Sequence, residues 1–239
     1  MAKKKSHIMD FNESIYEEDK RIERANIADL NTENLKIYGA NINLARVFPE
    51  IHDGLKLVER RILFAMYFLA KAVKRSVKSH TIVGQTLMIH AHGDASVYQT
   101  LVRLAQPWNM EIPYVTGIGG FGTIAGDDAA ASRYTEAMLS PYAIDCFFSD
   151  WNPDIVLMVD TYNRDLKEPS WLPTKYPNCL LSSADGMGFG PATHIPTFNL
   201  AEVLQATIKL IEDPSYEPYL VPDITTGCLI VDEGNFESI

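Results

Sequence analysis

The sequence predicts an α+β fold, because helical patterns dominate its first half and short strand-like segments dominate its second. The chain has 239 residues, of which 46% are hydrophobic and 22% are charged, as in one globular domain or two small ones. Apolar residues recur every three or four positions over residues 55–73. Past Pro153 the chain is β-rich and interrupted by proline and glycine. A core built from both helices and strands is therefore expected.

Two helices separated by a glycine-containing turn are predicted in the first half. The first covers residues 55–73, with Asp53 placed to cap it. The second ends before Pro107 and has Asp94 or Ser96 as its cap. Three apolar residues at helical spacing mark this second helix: Val97, Leu101 and Leu104. Together with a basic surface, this pattern indicates a helix-turn-helix arrangement, although many helical domains share it.

The rest of the chain is predicted from composition. Residues 112–126 form short β-like pieces with glycine, and residues 127–142 are permissive for a helix. An amphipathic helix is expected over residues 200–211 and a strand over residues 227–231. A shift in composition near residues 165–175 marks a domain boundary.

One glycine motif imitates a dinucleotide-binding fingerprint. Gly117-x-Gly119-x-x-Gly122 fits that fingerprint literally, but the segment is too rich in glycine to open a helix and no βαβ unit surrounds it. No P-loop motif for ATP hydrolysis is found in the sequence. A nucleotide-binding enzyme is therefore a distant alternative.

The cysteines and the apolar runs indicate where the protein works. Cys146, Cys179 and Cys228 are odd in number and form no C-x-x-C pair, so a reducing compartment is expected. The longest apolar run, residues 62–70, is far below the roughly 20 residues needed to span a bilayer. The polar start does not resemble a signal peptide, so an intracellular location without a membrane is expected.

Charge is distributed unevenly along the chain. The formal net charge of -10 argues, for the chain as a whole, against a nucleic-acid-binding protein and for a cytosolic enzyme. Residues 46–103, however, carry a balance of +5, whereas residues 141–239 carry -11. This uneven distribution of charge has two explanations. The charged residues either lie on solvated faces without a specific role or form a basic surface that binds phosphates. On the first helix that surface would display Lys56, Arg60 and Arg61, opposite the apolar stripe.

Two pairs of residues are candidates for chemistry. His90 and His92 are two positions apart, which does not suit zinc, so they have either a structural role or a role at a phosphate or leaving oxygen. Most tyrosines are packing residues, and packing is one interpretation of Tyr134, which adjoins Arg133. A phenol, with an ordinary pKa of about 10, attacks poorly unless cations lower that value or a base removes the proton. Arg133 would supply such charge for attack on a phosphodiester.

Seven segments occur in an order that resembles the A subunit of bacterial type II topoisomerases, the DNA gyrase and topoisomerase IV family, over roughly residues 35–235. The first four are Ala45-Arg46-Val47-Phe48-Pro49 with Asp53-Gly54-Leu55-Lys56 and Arg60-Arg61; His90-x-His92-Gly93-Asp94-x-x-x-Tyr98; Ala105-Gln106-Pro107; and Gly117-x-Gly119-x-Phe121-Gly122. The last three are Ala129-Ala130-Ala131-x-Arg133-Tyr134-Thr135-Glu136, Leu172-Pro173-Thr174-Lys175-x-Pro177-Asn178 and Ala192-Thr193-x-Ile195-Pro196.

The resemblance assigns roles to individual residues. It implies that Tyr134 is the nucleophile that becomes linked to a 5′ phosphate of DNA, with Arg133, Arg46 and His92 around the scissile phosphate and His90 close by. Contacts with DNA are implied at five further positions: Lys56, Arg60, Arg61, Lys175 and Met187. Met187 aligns with an apolar residue that wedges between base pairs, although packing in a glycine-rich loop would also explain it.

The resemblance also implies an architecture and an activity. We expect a charged N-terminal arm at residues 1–34, a winged-helix DNA breakage-reunion domain at residues 35–168 and the start of a tower-type α/β domain at residues 169–239. The implied function is the cleavage and religation part of an ATP-dependent type II DNA topoisomerase, an isomerase active only with its partner. A winged-helix fragment that binds DNA or acts as a scaffold without cleaving it is the alternative.

Partners and cofactors follow from the same resemblance. Mg²⁺ and ATP are expected on the partner, the Toprim/ATPase B subunit, with no metal site in this chain. The implied assembly is an A2B2 complex on double-stranded DNA, in which a homodimer of the A subunit holds two copies of the B subunit. It is expected in the cytoplasm, associated with the nucleoid. Family members run several hundred residues further, so the rest of the A subunit belongs either to the same chain or to a second polypeptide, which would then be a further partner.

Several positions depart from the family pattern. Ala95 and Gln99 stand where bacterial enzymes usually have a serine and an acid that anchor quinolones through a water-bridged metal. Glu59 replaces a common histidine, which would weaken one phosphate contact. Weak sensitivity to quinolones is therefore expected.

Overall fold

The computed structural model describes residues 26–227, and its first half consists mainly of helices. Helix α1 (Ile27–Ile42) continues into a π-helical turn, Asn43–Val47, and is followed by α2 (Leu57–Ala72), α3 (Ser79–Leu87) and α4 (Asp94–Arg103). The predictions of helices at the positions of α2 and α4 are confirmed. The three apolar residues that marked α4 are buried, with at most 1% of their surface exposed.

A three-stranded antiparallel sheet packs beside these helices. Strands β1 (Val77–Lys78), β2 (Val115–Ile118) and β3 (Glu136–Leu139) are ordered β1-β3-β2, so the central strand comes last in sequence. The strand predicted within residues 112–126 is therefore confirmed. Apolar side chains of α2, α3, α4 and the sheet form one core, which places the segments leading into β3 next to the helices.

The second half contains shorter elements. After β3 come a short helix α5 (Pro141–Ala143) with a π-helical turn, Ile144–Phe148, and the hairpin of β4 (Met158–Asp160) and β5 (Lys167–Pro169). A 3₁₀ turn at Asn178–Leu180 leads to a second hairpin, β6 (Ala184–Met187) and β7 (Ala192–Ile195).

Helix α6 (Leu200–Glu212) confirms the prediction for residues 200–211. The strand predicted at residues 227–231 lies outside the described residues except for Gly227. No helix within residues 26–227 is long and apolar enough to cross a membrane.

Three sequence predictions are wrong in detail. Asp53 does not cap α2, because the helix begins after Lys56 and the Glu59 carboxylate accepts from the Lys56 backbone N–H. Neither Asp94 nor Ser96 caps α4, whose N-cap is Gly93. Most of residues 127–142 form a loop and then β3, which pairs with β2, and only the last two residues are helical, at the start of α5.

The predicted domain boundaries fall inside regular elements. The boundary after residue 34 lies within α1, and the boundary after residue 168 lies within β5. Leu172, beyond the second boundary, is fully buried in the same core cluster as Leu55. The division of the chain into three parts stays a prediction.

Candidate nucleophile and basic cleft

Tyr134 lies in the loop just before β3 and presents its side chain to solvent. Two thirds of its surface, 66%, is exposed. The guanidinium carbon of Arg133 lies 4.7 Å from the centroid of the Tyr134 ring, within the range of a cation–π contact. The pair predicted from sequence is thus accessible to a large substrate, with a permanent positive charge beside the phenol.

Buried hydroxyl groups fix the residue that follows the tyrosine. Thr135 is fully buried, and its hydroxyl donates to the Ser79 hydroxyl at 2.8 Å. The Tyr98 hydroxyl lies 3.0 Å from the Thr135 hydroxyl and donates to the Ala130 carbonyl at 2.5 Å. Helices α3 and α4 therefore hold both sides of the loop that carries Tyr134.

Backbone hydrogen bonds complete this support. The backbone N–H of Ser79 donates to the Thr135 carbonyl at 3.0 Å, and that of His80 donates to the Ser132 carbonyl at 3.1 Å. Tyr134 closes a tight turn by donating to the Ala131 carbonyl at 2.8 Å. An exposed side chain on a fixed backbone is suited to a group that must meet a substrate in one orientation.

Arg46, His90 and His92 meet in a cleft of about 520 Å³. Arg46 comes from the π-helical turn after α1, and the two histidines come from the turn before α4. The ring centroids of His90 and His92 are 4.5 Å apart. Three of the residues that the resemblance placed near a phosphate thus line one basic cleft.

His90 is held in a buried, positively charged environment. Burial of the ring, with the nearby Arg61, His92 and Arg46, lowers the pKa of His90 to about 4. The imidazole is therefore neutral at physiological pH. A neutral imidazole can donate or accept a hydrogen bond at a phosphate, but it adds no net charge.

Arg60 does not lie on a solvated helix face, so that prediction is wrong. Its side chain is buried with Asp53: Nε donates to one carboxylate oxygen at 2.6 Å and Nη2 to the other at 3.0 Å. Nη2 also donates to the Leu55 carbonyl at 3.2 Å. Burial of an arginine requires such a partner, which explains why the charge faces inward. Nε and Nη2 of Arg60 are thus bonded within the chain, and the contact of Arg60 with DNA stays an untested prediction.

Arg61 is also largely removed from solvent, with 14% of its side chain exposed. It forms a two-point ion pair with Glu168 and contacts His90, so its predicted place on a solvated face is wrong as well. Lys56 is half-buried, and its Nζ donates to the Asp185 carbonyl at 2.5 Å. This burial lowers the Lys56 pKa.

Two further predicted DNA contacts lie on the surface in the second half of the chain. Met187, at the end of β6, is 93% exposed. Its hairpin is attached to the turn that carries Arg46, since the Thr193 hydroxyl donates to the Val47 carbonyl at 3.2 Å. Lys175 is exposed and pairs with Asp145 at 2.7 Å.

Ala95 and Gln99 lie one turn apart on α4, and both are exposed. Ala95 also lines the cleft with His90 and His92. The two positions predicted to affect quinolones therefore share one face of α4.

The described residues divide the predicted site into two groups. Arg133 and Tyr134 form one group, and Arg46, His90 and His92 form the other. Within residues 26–227, no hydrogen bond, ion pair or ring contact joins Tyr134 to a residue of the second group. Glu168 was missed from sequence, because an isolated glutamate outside the matched segments carries no local signal of its contact with Arg61.

Across the same part of the chain, His, Cys, Asp and Glu side chains form no group of three or more that could hold a metal ion. An exposed phenol beside a guanidinium can attack a phosphodiester, provided that a substrate also reaches the positive charge of the cleft.

The family model for the A subunit of DNA gyrase/topoisomerase IV matches residues 46–239, so the chain belongs to this family. The DNA gyrase A subunit of Thermotoga maritima is 39% identical over 89% of this chain and 27% of its own length. The chloroplastic/mitochondrial DNA gyrase A subunit of Arabidopsis thaliana is 40% identical over 84% of this chain and 22% of its own. The DNA gyrase A subunit of Staphylococcus aureus is 37% identical over 88% of this chain and 25% of its own length. The chain thus spans about a quarter of the length of these relatives.

Proposed function

We propose that this chain cleaves and rejoins DNA as the breakage-reunion part of a type II topoisomerase. The observation that carries the proposal is the exposed Tyr134, with Arg133 over its ring, on a loop fixed by buried hydroxyls. Membership of the family of gyrase and topoisomerase IV A subunits supports it.

The proposed step is a reversible exchange of phosphate esters. The Tyr134 oxygen attacks the phosphorus of a DNA phosphodiester, forming a bond to the 5′ phosphate while the bond to the 3′ oxygen breaks. The phenol loses its proton, and the released 3′ oxygen takes one up. Because one ester replaces another, the released 3′ hydroxyl can attack the phosphotyrosine and restore the DNA strand.

The basic groups would stabilise charge during this exchange. Arg133 lies over the Tyr134 ring, from where its guanidinium would donate to an oxygen of the phosphate that Tyr134 attacks. Arg46 and His92 are exposed in the cleft and would bind oxygens of the phosphate that gains charge. Such donors act most strongly when they are already in place before the reaction, as in a cleft held by folded elements.

We further propose that α2, α3, α4 and the three-stranded sheet form a winged-helix domain, with the β6–β7 hairpin belonging to the start of a tower domain. Three helices packed beside a small antiparallel sheet, with an exposed turn before α4, support the first assignment. Lys56, Lys175 and the exposed Met187 are the DNA contacts that we retain outside the cleft, with Met187 as a wedge between base pairs.

The complete reaction is proposed to need a partner. The B subunit would bind ATP and Mg²⁺, and the assembly would be A2B2 on double-stranded DNA. Mg²⁺ would supply positive charge against the phosphate oxygens during cleavage. The whole would act in the cytoplasm, on the nucleoid.

A trapping assay tests the proposal. The chain is mixed with a gyrase B subunit, double-stranded DNA and Mg²⁺, and the reaction is stopped with detergent, so that covalent complexes remain joined. We expect complexes with the native chain and none with Tyr134→Phe. Tyr219→Phe is the matched control, because Tyr219 is 70% exposed against 66% for Tyr134. DNA binding without any covalent complex from the native chain would instead establish the non-cleaving alternative.

A further inference from the structure

We propose that Glu168 is a positioning residue for the cleft: acting through Arg61, it holds His90 in the tautomer that carries its proton on Nε2. The structural part of this inference stands on contacts within the chain. Its consequence for DNA cleavage rests on the proposed function.

The first contact is a fork between Arg61 and Glu168. Nε and Nη2 of Arg61 each donate to a different oxygen of the Glu168 carboxylate, at 2.5 Å. The two side chains are 14% and 6% exposed, so the pair is largely shielded from water. Two parallel hydrogen bonds fix the plane of the guanidinium as well as its position.

The second contact joins the same guanidinium to His90. Nη1 of Arg61 lies 2.7 Å from Nδ1 of His90. A guanidinium is always charged and has no acceptor, so Arg61 must donate and Nδ1 must accept. In a neutral imidazole the proton then resides on Nε2. The ring is therefore left with a single N–H, on the edge away from Arg61.

Groups on three segments oppose a second proton on His90. Arg61 faces it from α2, Arg46 faces it across the cleft from the π-helical turn, and His92 adjoins it in the same turn. In the fork, the negative charge of Glu168 offsets the positive charge of Arg61. Because Nε and Nη2 of Arg61 bind Glu168, Nη1 is the nitrogen that contacts His90. His90 would thus donate from Nε2 to an oxygen of a bound phosphate, without acting as an acid.

Glu168 brings a distant part of the chain into this arrangement. It lies on β5, 107 residues after Arg61, whereas every other member lies between Arg46 and His92. Without this carboxylate, Arg61 would lose the partner that fixes its plane, and His90 would lose a donor held in one direction.

Nitrogen NMR of the full chain labelled with ¹⁵N-histidine tests the structural part without DNA. Comparison with His90→Asn identifies the His90 signals among the six histidines. At pH 7 we expect Nδ1 of His90 without a proton and Nε2 with one. Arg61→Gln and Glu168→Gln should shift the ring toward a mixture of tautomers. A proton on Nδ1 in the native chain, or an unchanged tautomer in either Arg61→Gln or Glu168→Gln, would overturn the inference.

The trapping assay with the gyrase B subunit tests the consequence. We expect Glu168→Gln to slow the formation of covalent complexes by about tenfold, because a misplaced donor loses much of its effect. Glu50→Gln makes the same change at a more exposed pair, with His52, and should leave the rate unchanged. A native rate in Glu168→Gln despite a changed tautomer would refute the positioning role. If the native chain forms no complexes, the proposed function fails while the NMR result still decides the tautomer.

Discussion

Asp53 and Arg60 form an ion pair within the protein core. The Asp53 side chain is fully shielded from solvent, and 7% of the Arg60 side chain is exposed. The same carboxylate accepts the backbone N–H groups of Leu55 at 3.0 Å and Leu172 at 2.9 Å. One acid thus joins the start of α2 to a segment more than a hundred residues away.

We predict that Asp53→Asn destabilises the chain by about 3 to 5 kcal/mol, because it leaves the Arg60 charge buried without its partner. Urea unfolding measures this free energy. Glu50→Gln, three residues before Asp53 and at a partly exposed site, should change stability by less than about 0.5 kcal/mol. If both substitutions lower the free energy of unfolding equally, the buried Asp53–Arg60 pair stabilises the fold no more than a partly exposed residue does.

His90 should make stability depend on pH. Its pKa of about 4 in the folded chain lies below the ordinary value of 6.5, so the unfolded chain binds more protons between these values. Stability from this residue is therefore complete above pH 6.5 and lost as pH falls toward 4. His90→Asn keeps an acceptor near the Nδ1 position but cannot take up the proton.

Relative to His90→Asn, the native chain should lose roughly 2 kcal/mol of unfolding free energy between pH 7 and pH 5. Urea unfolding of both proteins at the two pH values provides the difference. The same loss in both proteins would mean that His90 is not the group responsible.

The hydroxyl of Thr135 should matter for both stability and cleavage. Thr135→Val keeps the shape but removes the bonds to Ser79 and Tyr98, and buried hydroxyls without partners cost about 1 to 3 kcal/mol. The loop would then hold Tyr134 less firmly, so covalent complexes should form more slowly. Thr135→Ser restores the hydroxyl and should recover most of the rate. If Thr135→Ser is as slow as Thr135→Val, the methyl packing of Thr135 matters more than the network.

Quinolone response should depend on the first turns of α4. Ala95 offers no hydroxyl and Gln99 no carboxylate, although both side chains are exposed on the face of α4 where the family resemblance predicts that these drugs are anchored. We predict little drug-stabilised cleavage by the native chain with the gyrase B subunit, and a clear increase for the double variant Ala95→Ser, Gln99→Asp. Strong cleavage by the native chain at low drug concentration would contradict this prediction.

Local patterns predicted three of the helices: α2, α4 and α6. The apolar spacing of residues 55–73 and of Val97, Leu101 and Leu104 found α2 and α4, since burial of one helix face follows a fixed period. The composition of residues 127–142 permits a helix, but pairing with another strand decides the structure there. Helix propensity does not contain that information.

The candidate site was predicted in part. Tyr134, Arg133, Arg46 and His92 came from ordered motifs and are exposed or line the cleft. Arg60 and Arg61 were misplaced, because the spacing of charges on a helix does not reveal a buried acid such as Asp53 that turns an arginine inward. Glu168 belongs to no matched segment, and only the folded chain brings it to Arg61.

Mapping the protein–DNA link is the most direct test of the central claim. Covalent complexes formed with the gyrase B subunit, Mg²⁺ and end-labelled DNA are digested with nuclease and protease, and the modified peptide is sequenced by mass spectrometry. The account predicts one nucleotide joined through its 5′ phosphate to Tyr134, with a free 3′ hydroxyl on the other side of the break. A link to another residue, or a link through a 3′ phosphate, would contradict it.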